Sequence, residues 1–109
     1  RERHRVVAVD HLGCGLSDKP SDADYGLTTH TQNLKHLVEH LDLQNITLVV
    51  HDWGGAIGLG MAVQEPERIE RILLLNTAAF VPPYVPWRIA ACRIPWLGSY
   101  LIRQHNAFA

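Results

Sequence analysis

The sequence predicts an α/β protein in which a parallel sheet is flanked by helices. Short runs of branched apolar residues, typical of buried parallel strands, alternate along the chain with helical patterns. One run passes through a single turn directly into a small-residue apolar stretch, LVVHDWGGAIGLG at residues 48–60. Parallel neighbours cannot be joined by a tight turn, so this alternation indicates right-handed crossovers through helices.

The first predicted strand spans residues 5–10, and a long loop of turn-forming residues follows it. A helix is predicted from Thr29, because Thr29 and Gln32 have the spacing of a capping box. Its apolar face is formed by Leu34, Leu37, Val38 and Leu41. These four positions repeat at intervals of three and four residues, as expected for an amphipathic helix.

The next elements are two further buried strands with a helix between them. The strands are predicted at residues 46–50 and 72–76, and the helix at residues 54–64, which are small and apolar nearly all round. Pro66 ends this helix. Residues 1–80 are therefore expected to form the central part of an α/β core in the order strand, loop, helix, strand, helix, strand.

From residue 81 the composition changes to prolines and aromatic residues among short apolar stretches. Two short helices, each with one apolar face, are predicted at residues 86–94 and 98–105. Because they follow a core strand, we interpret residues 81–109 as the beginning of a cap segment. Their apolar, tryptophan-rich character fits a small hydrophobic substrate, and it fits core packing as well.

Composition narrows the classes of partner. Ten basic and eleven acidic residues among 109 leave no surplus of positive charge, so we expect no nucleic acid partner. Every apolar run stops well before the ~20 residues of a membrane span, and no signal peptide is recognised. Cys14 and Cys92 lack a paired spacing and predict reduced thiols in a cytoplasmic protein. A strand begins almost at Arg1, so we expect a piece of a longer protein.

The junction within residues 48–60 has the layout of a nucleophile elbow, with Asp52 where serine usually stands. The N-terminus of the following helix offers free N–H groups and a positive dipole end, so we expect Asp52 to be ionised at neutral pH. A carboxylate can displace a leaving group from saturated carbon and form an ester with the enzyme. Water activated by a histidine would then attack the Asp52 carbonyl.

The residues after Asp52 fit the same chemistry. The backbone N–H of Trp53 is placed to receive the oxyanion that forms on the Asp52 carbonyl. Gly54 and Gly55 suit a tight turn, where a side chain is expected to collide with the neighbouring strand. Two simpler interpretations stay open: Asp52 caps the helix, and Trp53 packs in the core.

The segment VVHDWGGAIG, residues 49–58, resembles the elbow of the α/β-hydrolase families with an aspartate nucleophile, above all the haloalkane dehalogenases and their relatives. DHLGCGLSDKP is similar to the loop after their fourth strand, and PERIERILLLNTAAF to the segment that leads into their cap. The resemblance covers nearly all of the chain. It implies a partial α/β-hydrolase fold, a hydrolase activity without a cofactor, and an indole N–H of Trp53 that donates to the departing halide.

The same resemblance implies that several catalytic parts lie outside residues 1–109. These are the catalytic acid, the late catalytic histidine, and the oxyanion and halide donors that precede the first strand. One dehalogenase subgroup carries its acid directly after the strand equivalent to ILLLN, but this chain has Asn76 there. We therefore expect the acid later in the complete protein, and residues 1–109 alone to be inactive.

None of the seven histidines is predicted to be the catalytic base. His51 adjoins Asp52, but adjacent side chains of a strand point to opposite faces, so a structural hydrogen bond is expected. The predicted helix carries His30, His36 and His40 on a face expected to be solvated. His36 and His40 have the spacing of a metal pair but lack further ligands, so no metal site is predicted.

Two aspartates, Asp10 and Asp18, flank the glycine-rich stretch of the loop. We expect them to form turns rather than take part in catalysis. The loop also lacks the lysine pattern of a phosphate-binding loop.

Val50 favours the dehalogenase branch, because epoxide hydrolases usually have glycine two places before the nucleophile. Epoxide hydrolases also use cap tyrosines, and Tyr84 and Tyr100 cannot be placed from sequence. CGLSDKP, LNTAAF and RIAACRIPWLG resemble the dehalogenase homologues that act as β-lactone decarboxylases in bacterial olefin synthesis. The expected substrate is a haloalkane or a long-chain β-lactone, and an epoxide is the alternative.

An alternative of a different class is a catalytically incomplete α/β module that serves binding or assembly. A late histidine and an acid in the parent reading frame would favour the enzyme over such a module. A homo-oligomer or a partner in a biosynthetic complex also stays open, because no sequence feature addresses it.

Overall fold

The computed structural model describes residues 3–79 and 83–105. The chain divides into two compact units, Arg1–Ala79 and Phe80–Ala109. The elements of the first unit are helix α1 (Leu27–His40), strand β1 (Ile46–His51), helix α2 (Trp53–Gln64), a 3-10 turn (Pro66–Arg68) and strand β2 (Ile69–Leu75). The predicted boundary between residues 80 and 81 lies outside the described residues.

The two strands form a parallel pair joined by a crossover through α2. Their register runs from Ile46 opposite Ile69 to His51 opposite Leu75, with one irregularity near Ile46. This arrangement confirms the predicted α/β class. Because the carboxyl ends of parallel strands meet at the same edge of a sheet, the residues that follow His51 and Leu75 are neighbours in space.

Residues 5–10 were expected to form a strand, and this prediction is wrong for the described structure. An extended segment becomes a strand only when a neighbouring strand supplies hydrogen-bond partners. The sheet of the described residues consists of β1 and β2. Val6, Val7 and Val9 are exposed. A branched apolar run signals the preference for a strand but cannot supply the partner.

Helix α1 begins at Leu27, earlier than predicted, and its N-cap is Gly26, with no side-chain capping bond. The predicted capping box of Thr29 and Gln32 is therefore wrong. The Thr29 hydroxyl instead donates to Asp24 Oδ2 over 2.6 Å, and the Gly26 N–H donates to Asp24 Oδ1 over 2.8 Å. These bonds, that of Thr29 foremost, hold the pKa of Asp24 below its usual value.

The core of the first unit lies where α2 packs against α1 and β1. Its buried apolar side chains are Val38, Val50, Ile57, Met61 and Ala62, and Met61 is fully buried. Gly58 allows α2 to lie close to β1, because a Cβ there would stand 2.6 Å from Val50 Cγ1. One face of α2 is buried rather than all of it, since Val63 is exposed.

A small ion-pair network joins α1 to the end of α2. Lys35 Nζ lies 2.5 Å from Glu65 Oε1, and Arg68 Nε lies 3.2 Å from Glu65 Oε2. Arg68 also contacts Asp42, after α1, at 3.2 Å. The hydrogen bond from Lys35 is the largest cause that lowers the pKa of Glu65. Burial acts in the opposite direction, and the hydrogen bond from Arg68 lowers the pKa by a smaller amount.

The second unit contains helices α3 (Trp87–Cys92) and α4 (Leu97–His105), which contact each other. Both helices were predicted from sequence. Gly98 is buried in this unit, and a Cβ there would overlap the carbonyl oxygen of Cys92. Trp87 and Trp96 are exposed. Among the helices of residues 3–79 and 83–105, none is both long and apolar enough to cross a membrane.

Candidate active site

The candidate site is the junction between β1 and α2, where Asp52 alone separates the strand from the helix. Its backbone has φ 49° and ψ −127°, a conformation that residues with a Cβ seldom adopt. Holding a residue in such a region costs on the order of 1–3 kcal/mol, and strain of this kind clusters at functional sites. The strand-to-helix junction predicted within residues 48–60 is thus present, with its sharp turn at Asp52.

Three hydrogen bonds hold the backbone of Asp52 in this conformation. Its N–H donates to the Asn76 carbonyl oxygen over 3.3 Å. Its carbonyl oxygen accepts a bond from Gly55 N–H at 3.0 Å and one from the Thr77 hydroxyl at 2.5 Å. Asn76 and Thr77 directly follow β2, so the end of the neighbouring strand secures the turn.

The carboxylate of Asp52 is exposed and makes no capping hydrogen bond to α2. The interpretation of Asp52 as a side-chain cap is therefore wrong for this structure. Positive φ turns the side chain away from the capping geometry, which requires an extended backbone at the N-cap. The carboxylate forms no hydrogen bond with any described residue, and both of its oxygens are available to a substrate.

Trp53 is the first residue of α2, and 68% of its surface is exposed. The interpretation of Trp53 as a core residue is wrong for the described residues. As the first N–H of a helix, its backbone donor has no intrahelical acceptor. Within residues 3–79 and 83–105, neither this N–H nor the indole N–H has a hydrogen-bond partner.

The two glycines after Trp53 differ in their surroundings. A Cβ at Gly55 would overlap the hydroxyl of Thr77, so the expected collision occurs just beyond the neighbouring strand rather than within it. A Cβ at Gly54 would meet no atom within 4 Å, so the expected collision at Gly54 is absent from the described residues. The turn needs a glycine for steric reasons only at position 55.

The side chain of His51 is exposed and forms no hydrogen bond with a described residue. The structural hydrogen bond expected for His51 is therefore absent. His51 is the last residue of β1, at the edge where the strand ends. It stays the sequence neighbour of Asp52 without an assigned role.

The histidines of α1 divide into two kinds. His36 and His40 are exposed, as predicted, whereas His30 is partly buried and its Nδ1 has no partner in the structure. The His30 ring packs edge-on against His11, with 5.5 Å between ring centroids, because the loop before α1 folds over the first turns of the helix. Burial, and then the nearby His30, lower the pKa of His11. No cluster of three metal-ligating residues occurs in the described ranges.

The two aspartates of the glycine-rich loop form turns, as predicted. Asp10 Oδ2 accepts a hydrogen bond from Leu16 N–H at 2.9 Å, and the Asp18 carbonyl oxygen accepts one from Gly13 N–H at 2.9 Å. Gly13 has φ 87°, a conformation that favours glycine.

Sequence analysis missed Thr77 as part of the site. Asn76 was considered only as a position that lacks an acid, yet its carbonyl oxygen receives the Asp52 N–H. The signal was present in the sequence: a threonine stands just beyond the strand that pairs with β1. Because parallel strands end at one edge, a hydroxyl in that place lies within reach of the elbow.

Comparison with known proteins places the chain among α/β hydrolases. Residues 1–101 match the model of the alpha/beta hydrolase fold family. The chain is 47% identical to a cis-3-alkyl-4-alkyloxetan-2-one decarboxylase of Shewanella oneidensis, with 100% of the chain and 36% of that protein covered. It is 44% identical to the Xanthomonas campestris protein of the same name, with 99% and 40% covered.

Haloalkane dehalogenases are also similar. The protein from Psychrobacter cryohalolentis is 45% identical over 68% of this chain and 25% of its own length. The crystal structure of a haloalkane dehalogenase from Agrobacterium tumefaciens C58 superposes with a TM-score of 0.74 and 31% identity, covering 91% of this chain and 36% of that one. The chain thus spans well under half the length of each of these relatives.

Proposed function

Since the chain belongs to the α/β-hydrolase fold family, we propose that Asp52 is the nucleophile of a dehalogenase-like enzyme and forms a covalent ester with a hydrophobic substrate. The observation that carries the proposal is the strained turn at Asp52, which leaves its carboxylate without a hydrogen-bond partner among the described residues, directly before the first residue of α2. A carboxylate needs no base to become nucleophilic, so this geometry suits attack on carbon that bears a good leaving group.

We favour a β-lactone with two alkyl substituents as the substrate. Two relatives that match essentially all of the chain are named cis-3-alkyl-4-alkyloxetan-2-one decarboxylases, and an oxetan-2-one is a β-lactone. Asp52 attacks the saturated ring carbon that bears the ring oxygen; this C–O bond breaks, and the substrate's carboxylate is released from the ring. Loss of carbon dioxide then moves the C–C electron pair into the alkene and expels the Asp52 carboxylate. No water is consumed.

Haloalkane hydrolysis is the second candidate, supported by the similarity to haloalkane dehalogenases. Asp52 would displace the halide from carbon, and the Trp53 indole N–H would donate to the departing halide. Water, deprotonated by a histidine outside this chain, would attack the ester carbonyl of Asp52. The Trp53 backbone N–H would stabilise the resulting oxyanion until the alcohol leaves and the carboxylate is restored.

The test is a parallel assay of the complete protein, the product of the whole reading frame that contains this chain. We expect alkene release from a long-chain β-lactone, measured by gas chromatography, to exceed halide release from a bromoalkane. Halide release without alkene release would show that the substrate is a haloalkane rather than a β-lactone. Activity on neither substrate, in protein that is folded by circular dichroism, would contradict the proposal and favour a non-catalytic module.

A further inference from the structure

We infer that Thr77 is a positioning residue that aims the backbone N–H of Trp53 at the reacting carboxyl group of Asp52. This inference rests on the proposed function of Asp52. Thr77 lies outside the turn itself, in the segment after β2, and its hydroxyl donates to the Asp52 carbonyl oxygen over 2.5 Å. The bond joins two positions that are 25 residues apart in the chain.

The planarity of the peptide group connects this bond to the chemistry. The Asp52 carbonyl and the Trp53 N–H belong to one trans peptide unit, so they point in opposite directions within one plane. A donor that fixes the carbonyl oxygen therefore also fixes the direction of the N–H. The Trp53 N–H has no acceptor among the described residues that would orient it. The peptide plane is therefore held through the hydrogen bonds to the Asp52 carbonyl oxygen.

The strained backbone at Asp52 gives the bond its importance. With φ of Asp52 at 49°, rotation of the peptide unit toward a more common conformation would lower its free energy. The Gly55 N–H also donates to the same oxygen, a bond of the 3-10 type that is common at the start of a helix, whereas the Thr77 hydroxyl reaches it from the segment after β2. Gly55 makes room for this approach, because a Cβ there would overlap the Thr77 hydroxyl.

The test compares Thr77→Val, which keeps the side-chain shape and removes the donor, with Thr77→Ser, which keeps the donor. Both are made in the complete protein and assayed on the substrate that the wild type turns over, with kcat expressed per active site by titration. We expect Thr77→Val to lower kcat by about 10- to 100-fold, less than the loss of an entire oxyanion donor, with KM changed by no more than about twofold. Thr77→Ser should stay within about threefold of the wild type.

A purely structural role would lower the fraction of active sites and leave the rate constant of each active site unchanged. Equal kcat values per active site in the two variants would overturn the inference. If the two Thr77 variants have equal kcat values and Asp52→Asn abolishes turnover, the proposed function stands and only the role of Thr77 is contradicted. If Asp52→Asn stays active, the proposed function itself fails.

A crystal structure of each variant provides a readout that needs no substrate. We expect the peptide plane between Asp52 and Trp53 to keep its orientation in Thr77→Ser and to rotate in Thr77→Val. An unchanged plane in Thr77→Val would overturn the inference, whichever substrate the protein accepts.

Discussion

Asp52→Asn is expected to lower turnover in the complete protein by about 10⁴- to 10⁶-fold, as loss of a catalytic nucleophile does in other hydrolases. The amide has the shape of the carboxylate but carries no negative charge, so it does not attack saturated carbon. Asparagine tolerates positive φ at least as well as aspartate, and the variant should keep the turn at Asp52. Initial rates on the preferred substrate, with freshly purified protein, measure the effect.

Asp22→Asn is the matched control. Asp22 is an exposed aspartate of the loop before α1 and forms no hydrogen bond with a described residue. The same chemical change there should leave kcat and KM within about twofold of the wild type. Full activity of Asp52→Asn, or an equal loss in both variants, would contradict the assignment of Asp52 as nucleophile.

Met61→Ala is expected to lower the free energy of unfolding by about 2–5 kcal/mol. Met61 is a fully buried side chain of α2 in the first unit, where this helix packs against α1 and β1. Truncation removes its dispersion contacts and leaves a cavity that two helices and a strand can only partly close. Urea unfolding of the complete protein, followed by circular dichroism, measures the change.

Met61→Leu separates the effect of the cavity on the free energy of unfolding from the effect of losing the thioether. Leucine has nearly the same volume, so this variant should lose less than about 1.5 kcal/mol. A loss below about 1 kcal/mol in Met61→Ala would show that the centre of the unit lies elsewhere. A loss in Met61→Leu as large as that in Met61→Ala would point to a specific role of the thioether rather than to packing.

Sequence predicts the region from β1 to β2 well because its signals are local and its partners are close in the chain. The branched apolar runs of the two strands pair with each other, and the small residues of α2 let this helix pack against β1. The run at residues 5–10 has equal strand character, but the described residues hold no strand beside it. Strand propensity was therefore a sufficient signal only where the chain also supplies the neighbour.

The N-terminus of α1 shows how a side chain can compete with a motif. Thr29 and Gln32 have capping-box spacing, yet Asp24 accepts the Thr29 hydroxyl, and the helix starts at Leu27. His30 was expected on the solvated face of this helix. Starting the helix earlier, under the folded loop, brings His30 against His11.

At the candidate site, sequence identified Asp52 and its neighbours but could not decide between a capping and a free carboxylate. That choice depends on one backbone angle, the positive φ of Asp52, which no residue pattern encodes directly. Thr77 was missed because its contact with Asp52 depends on the register of the sheet, a long-range property.

Mass spectrometry of the complete protein, quenched during a single turnover of the β-lactone, tests the role of Asp52 most directly. We predict that the peptide containing Asp52 gains the full mass of the lactone, because ring opening by the carboxylate loses no atoms, and that fragmentation places this mass on Asp52. The same adduct on another residue, or alkene formation with no mass gain on that peptide at any time, would contradict covalent catalysis by Asp52.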